Sequence, residues 1–353
     1  MKSTSFVSVF LAIILCLILS CSPNNQQPGP KKHFNEAFEK VNEIQLSTGK
    51  DHLIGRIGGF SIVPGGGYLV LSSSSKQQVF RFHQDGRFAG ILGGNGKGPN
   101  EYINAMDITS DRHGNILLYD SYQRKIIQYL PDGSFLRSIK MNAYGHKFLQ
   151  NSKSEFFFWR TDPQPSELTI TRYDSLGNMT GMFAVVSKEY DRRLGMFGGG
   201  IVMDSEDNIY ELERWEYAIK KFNARGELIL IFGAPSSSYH PYKKPDAVML
   251  NSGKGFVEYL RKISAIRNIS MLKDKFIFVF LQQDSPIDGN KPYSWLDIYL
   301  KDGTPIASEV ELPEEFEDYS VSEDSFYLLK SAKPDEDGDF RNPTIVHYRL
   351  KLK

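Results

Sequence analysis

From residue 41 onward the chain is a succession of short apolar runs cut by glycine, asparagine and aspartate. That is the pattern of short strands and tight turns, not of helices. Within it an aromatic residue is followed four positions later by glycine at Phe82 to Gly86, Tyr129 to Gly133, Tyr173 to Gly177, Phe222 to Gly226 and Tyr299 to Gly303. Three of these glycines follow aspartate (Asp85, Asp132, Asp302), and Asp-Gly supplies the positive φ that a hairpin turn needs. A fixed spacing repeated along a chain means one supersecondary unit used several times.

Each unit reads as four strands, A to D. In the second, Met106 to Thr109 is A, Asn115 to Asp120 is B, Lys125 to Tyr129 is C and Ser134 to Lys140 is D. The sixth unit reaches Tyr348, but Leu352 stands where its glycine would be and the strand D run is missing. A run of the missing kind, Val41 to Leu46, precedes the first unit. The count predicts an all-β six-bladed propeller over residues 41–353, with four-stranded blades and the last blade closed by the N-terminal strand. Closure of that kind removes free sheet edges. Three residues before each strand C aromatic position stands an aliphatic: Val79, Ile126, Ile170, Ile219, Leu296 and Ile345. An odd offset puts the two on opposite faces of the blade, each against a different neighbour.

The segment from Gly96 through Pro99-Asn-Glu-Tyr102 into Gly114-Asn-Ile-Leu-Leu-Tyr-Asp-Ser121 resembles the NHL repeat, and the whole resembles six-bladed lipoproteins related to NHL and TolB-like propellers. The resemblance is good in the second unit and loose in the third, fifth and sixth. What it implies is architecture, not catalysis.

The first residues read differently. Lys2 precedes an apolar run, Phe6 to Leu19, too short for a mature membrane span. It ends at Ser20-Cys21, which resembles the lipobox of bacterial lipoproteins and implies cleavage before Cys21 with lipid on its thiol. Residues 1–20 are then a signal peptide and 21–40 a flexible lipid-anchored tether rich in proline and polar residues. Cys16 leaves with the signal, so the mature chain has no partner for a disulfide. The expected place is the cell envelope, anchored to the outer membrane on its periplasmic side, because no acidic run follows Cys21.

Charge narrows the partners. Lys and Arg number 42 and Asp and Glu 42, so there is no basic footprint for nucleic acid. The long connections all fall at one end of the ring, in loops D–A and B–C, and the longest is an insertion from Ala234 to Arg267. Within it Phe256, Leu260, Ile263 and Arg267 have helical spacing, which predicts a helix across the mouth, as a plug or as part of a site. Residues entering strand A should line the pore: Arg56, Asn104, His146, Arg267 and Tyr319. The arginines either pair with loop acids such as Glu101 or Asp107 or receive a carboxylate, sulfate or phosphate. Tyr102, Tyr144, Tyr190, Phe197, Tyr239 and Tyr242 could stack on sugars or grip a peptide. His52, His146 and His240 lack metal-ligand spacing, and no cofactor or metal is expected. Gly93 to Gly98 lacks the residue and helix a phosphate loop needs. The sequence therefore predicts a non-catalytic binding propeller for a protein or glycan, with Arg56, Asn104, Tyr144, His146 and Arg267 as candidate contacts and an outer-membrane complex as a possible setting. The alternative is a lactonase-like hydrolase or lyase at the pore mouth.

Overall fold

The repeat appears as six antiparallel sheets of four strands. The computed structural model describes residues 26–353 apart from 50–51, 64, 74–76, 161–166, 188–197, 215, 244–252, 284–292, 314–315, 331 and 333–340. The signal segment and Cys21 lie outside the described residues.

Strand β1 (Phe38–Gln45) belongs to the last blade. Blade 1 is β2 (Ile57–Ile62), β3 (Tyr68–Ser72), β4 (Gln78–Phe82) and β5 (Phe88–Leu92). A short parallel pair follows, β6 (Gly94–Asn95) with β7 (Glu101–Tyr102). Blade 2 is β8 (Ala105–Ser110), β9 (Ile116–Asp120), β10 (Lys125–Tyr129) and β11 (Phe135–Lys140). Blade 3 is β12 (Lys147–Gln150), β13 (Phe156–Trp159), β14 (Leu168–Tyr173) and β15 (Met179–Val185). Blade 4 is β16 (Gly200–Met203), β17 (Ile209–Leu212), β18 (Ile219–Phe222) and β19 (Leu228–Phe232). Blade 5 is β20 (Ser264–Leu272), β21 (Phe276–Gln283), β22 (Tyr293–Leu300) and β23 (Pro305–Glu311). Blade 6 is β24 (Asp318–Ser322), β25 (Ser325–Lys330) and β26 (Thr344–Leu350), completed by β1. The innermost strands touch in sequence around the ring, and β2 meets β24 to close it.

The closing strand begins at Phe38, earlier than expected, and runs antiparallel to β26 from Phe38 opposite Leu350 to Gln45 opposite Thr344. A register shift between Lys40 and Asn42 leaves Val41 exposed. The segment expected to be a loose tether up to residue 40 is docked from Gly29 onward. Helix α1 (Phe34–Ala37) sets Phe34 stacked on Phe38 at 4.8 Å, over the junction of blades 5 and 6.

The core is six clusters, each shared by two neighbouring blades. The strand C positions explain how. Val79, Ile126, Ile170, Ile219, Leu296 and Ile345 are all 0% exposed, and each packs toward the following blade. The aromatics Phe82, Tyr129, Tyr173, Phe222 and Tyr299 are also buried, and each packs toward the preceding blade. Burying one such side chain contributes roughly 1.5–3 kcal/mol, so every blade is held from both sides.

The paired glycines do more than turn the chain. Gly86 has φ +85°, and a Cβ there would fall 2.5 Å from the Gln45 carbonyl oxygen of β1. At Gly226 and Gly303 a Cβ would fall 2.6 Å and 2.8 Å from the rings of Phe183 and Phe232, again on the preceding blade. Aromatic and glycine together form the edge by which each blade seats on its predecessor.

Candidate functional site

The innermost strands leave an axial channel, and its two ends differ. Where the chain enters these strands lies a cavity of about 280 Å³. Gly58, Gly59, Phe60, Met106, Asp107, Lys147, Arg267, Asn268, Phe280, Asp318 and Tyr319 are on its wall. Five of the six innermost strands contribute to it.

Adjacent innermost strands splay apart and do not pair, so their backbone donors need other partners. Carboxylates supply them. Asp107 of β8 accepts the N–H of Phe148 on β12 at 3.1 Å and the Lys147 ammonium at 3.3 Å. Asp318 of β24 accepts the N–H of Tyr319 at 2.8 Å, and its carboxyl is also stabilised by the Phe60 N–H of β2. Burial still pushes the Asp318 carboxyl up to about 6, against the pull of these N–H groups and of Lys147. The Asp107 carboxyl is likewise raised by burial. Lys147 is held above its ordinary value by Asp107 first and by Asp318 as well, so it is a firm cation. Protein surrounds it on all sides, yet its side chain is 44% exposed because it projects into the open channel. The two acids thus join blades, Asp107 also pairs with Lys147, and Lys147 and Arg267 both lie on the cavity wall.

The sequence candidates are not brought together. Arg267 is on the cavity wall, and so is Tyr319. Arg56 is exposed outside that lining, and its carbonyl accepts from Ser73 N–H at 2.7 Å. Asn104 is occupied with the B–C loops of two blades: its amide donates to Ser121 Oγ of blade 2 at 2.7 Å and its oxygen accepts from Gln77 of blade 1 at 3.0 Å. His146 is half-buried, edge-on to the exposed Tyr144 ring at 6.1 Å. The physical reason is an offset. Residues that enter strand A stand at the rim, and those one to three positions later face the lumen, so Asp107 and Lys147 line the wall where Asn104 and His146 do not. The positive pair in the cavity is Arg267 with Lys147, not Arg267 with Arg56.

Most of the loop tyrosines prove to be anchors. Tyr102 is fully buried and its hydroxyl accepts the Val79 N–H at 2.9 Å. Tyr242 is buried and Tyr239 packs on Tyr217 at 5.0 Å. Tyr190 and Phe197 lie outside the described residues. Tyr144 remains exposed at this end, joined by Tyr122 at 68% exposure, which the sequence reading passed over. Tyr122 follows Asp120, a fully buried carboxylate that accepts backbone N–H groups from Ile103, Asn104, Tyr122 and Gln123. That aspartate, in a strand-end position, was the available signal that its loop is built rather than loose.

The insertion contains helix α2 (Gly253–Lys262), but the helix stops before the spacing suggested. Ser264 already begins β20, so Arg267 is a strand residue. Leu260 and Tyr259 pack on Tyr242 and Ile263 in a small cluster of their own.

At the other end a cavity of about 520 Å³ is lined by Thr109, Ser110, Gln150, Ser152, Asp204, Ser205, Asp207 and Ser270 among others. Its rim is stapled. The Ser152 N–H and hydroxyl both donate to Asp207, at 2.9 and 2.6 Å, and those of Ser205 both donate to Asp274, at 2.7 and 2.6 Å. Among the described residues no three His, Cys, Asp or Glu side chains converge as a metal site would require.

Comparison with known proteins bears on the fold. Residues 18–181 match a family described as a domain of unknown function, DUF4934. No curated protein matches the chain. Among solved structures, a Bacteroides fragilis protein described as exported is 16% identical, with a TM-score of 0.66 over 92% of this chain and 100% of that one. A member of the DUF4221 family from Bacteroides vulgatus is 10% identical, with a TM-score of 0.65 over 90% and 98%. A protein described as a gluconolactonase is 12% identical, with a TM-score of 0.50 over 93% and 99%. At such identities the likeness is one of fold, and fold alone does not assign function. The protein is a six-bladed β-propeller. Among the described residues no helix is long and apolar enough to cross a membrane.

Proposed function

We propose that this is a binding propeller of the bacterial cell envelope, held to the outer membrane through lipid on Cys21 and facing the periplasm. It recognises a protein or glycan at the end of the ring where the chain enters the innermost strands. The observation that carries this reading is the division of charge in the 280 Å³ cavity. Its acids hold backbone N–H groups of neighbouring blades, Phe148 for Asp107 and Phe60 for Asp318, and Lys147, which also pairs with Asp107, lies with Arg267 on the cavity wall. A carboxylate, sulfate or phosphate on the ligand is the group such a pair accepts. Exposed Tyr122 and Tyr144 lie at the same end, where sugar rings or peptide could stack. The cavity is small for a whole ligand, so it takes a terminal group of something larger.

The test is titration calorimetry against acidic glycans and acidic peptides. Arg267→Ala with Lys147→Met should weaken binding at least about tenfold, or about 1.4 kcal/mol, and Arg56→Ala should not. Unchanged affinity of the double variant for every acidic ligand that the wild type binds would sink the reading. Pull-down of the detergent-solubilised protein would show whether it acts alone or within an outer-membrane complex.

The alternative, a lactonase-like hydrolase or lyase, has one observation in its favour. Asp318, with its carboxyl near 6, could move a proton at the cavity. Lactone turnover abolished by Asp318→Asn in a folded protein would favour it over simple binding.

A further inference from the structure

The segment after the lipid-attachment site does not hang free. Gly29 to Lys32 lies along β23, the outer strand of blade 5, with Lys31 bridged in parallel to Ser308. Ser308 N–H donates to the Pro30 carbonyl at 3.0 Å, its hydroxyl to the Gly29 carbonyl at 2.6 Å, and Lys32 N–H to the Ser308 carbonyl at 3.3 Å. Gly29 sits so close that a Cβ there would lie 2.7 Å from the Ala307 nitrogen. Lys31 then pairs with Glu309 at 2.8 Å. The Glu309 carboxylate is only 5% exposed and also accepts from Ser237 Oγ and Ser238 N–H of the insertion, at 3.0 and 2.9 Å. The dock is therefore built into blade 5, with a buried acid shaped to receive it.

From this we infer that the protein stands on the membrane with the edge of blade 5 toward the lipid. The inference rests on lipidation of Cys21. Between Cys21 and Gly29 there are seven residues, Ser22 to Pro28, which span at most about 25 Å. Two opposed blades of four strands at about 4.8 Å spacing, with the channel between them, make the ring roughly 40 Å across. A seven-residue link fixed at blade 5 cannot carry the opposite edge, blade 2, to the bilayer. The edge of blade 4 exposes Leu228 and Ile229, but the edge of blade 2 exposes Phe135 and Leu136 alike, so the short link at blade 5, not apolar exposure, sets the side. Both channel mouths then open sideways along the membrane, where an envelope ligand can reach them.

The mature lipoprotein carries its only cysteine under lipid, so an introduced cysteine is a unique label site. Glu311→Cys on blade 5, Leu228→Cys on blade 4 and Phe135→Cys on blade 2 each take a fluorophore at an exposed position. The protein is then reconstituted in vesicles of phosphatidylethanolamine and phosphatidylglycerol with a headgroup quencher. Quenching several-fold stronger at 311 and 228 than at 135 is expected. Adding Gly29→Val with Glu309→Gln should release the dock, even out the three signals, and open Lys31 and Lys32 to trypsin. Flotation with the vesicles but equal quenching at all three sites in the otherwise native protein would overturn the stance. Failure to float, with no acyl mass on the N-terminal peptide, would overturn the anchoring and the stance with it.

Discussion

The two ends of the channel are built from the same strands but hold them by different means. At the A–B end the contacts recur. Asp111, Asp204 and the C–D turn residue Asp174 each accept the N–H two and four residues on, with the following asparagine amide closing the turn. The serine-to-aspartate staple occurs at two successive junctions. At the other end Lys147 on blade 3, Arg267 with Asn268 on blade 5 and Asp318 on blade 6 each occur once. In a repeat protein, what recurs answers a need common to every unit, namely seating one blade on the next. What occurs once answers no such need, and that is where recognition is to be sought.

If that division is right, damage to a recurring feature should cost stability without touching affinity. Gly86 provides the largest effect. At φ +85° an alanine already costs about 1–2 kcal/mol, and the clash with the Gln45 carbonyl adds to it, for a total of roughly 3–4 kcal/mol. Asparagine tolerates positive φ, so Gly86→Asn separates the two causes. We expect it to be nearly as damaging as Gly86→Ala in denaturant unfolding, because its Cβ meets the same oxygen. Full recovery by asparagine would mean the glycine serves the turn alone, and the seating role would fall.

The staples give a smaller effect. Asp207 has φ +63° and receives both donors of Ser152. Asp207→Ala loses those bonds and strains the backbone, at roughly 2 kcal/mol. Asp207→Gly keeps the backbone at ease and should lose about 1 kcal/mol less. Neither should change ligand affinity. A loss of binding equal to that of Arg267→Ala would erase the distinction between the two ends.

The same division explains what could be read from the chain in advance. Blade number, closure by the N-terminal strand and the facing of strand C follow from features that recur, and recurrence is visible in one sequence. The site residues are singular, so only their offset from a repeat position could locate them. That offset is one to three residues, because Asn104 and His146 look like strand entrances while β8 and β12 begin at Ala105 and Lys147. The helix was over-extended for a related reason. Ile263 and Arg267 keep a four-residue spacing, but Ser264 to Leu272 obeys the stronger demand of an innermost strand for pairing with β21. The docking of Gly29 to Lys32 left no mark at all, since proline and lysine read as tether until Glu309 is seen buried beside them.

The smallest expected effect concerns acids buried for singular reasons. Glu211, at the junction of blades 3 and 4, accepts from Trp159 Nε1 at 3.0 Å and from the Thr169 hydroxyl, and its second oxygen faces no donor among the described residues. Burial raises its carboxyl to about 7, against the pull of Lys220. Asp297 and Asp318 are raised by burial to about 6. A carboxyl whose folded value exceeds its unfolded one binds more protons in the native state between the two values. Stability should therefore rise as pH falls from about 7 toward about 5. It should fall again in strong acid, because Glu309, held at about 2 by Lys31 and the serine donors against its burial, loses its contribution as it protonates. Glu211→Gln retains an acceptor for Trp159 and cannot ionise, so it should flatten the slope between pH 7 and 5 and leave the variant equal to or roughly 1 kcal/mol more stable than wild type at pH 7. An unchanged slope would show that Glu211 is already ionised at neutral pH, compensated by Lys220. Blade 4 would then carry a buried ion pair across strands β17 and β18 in place of a buried acid.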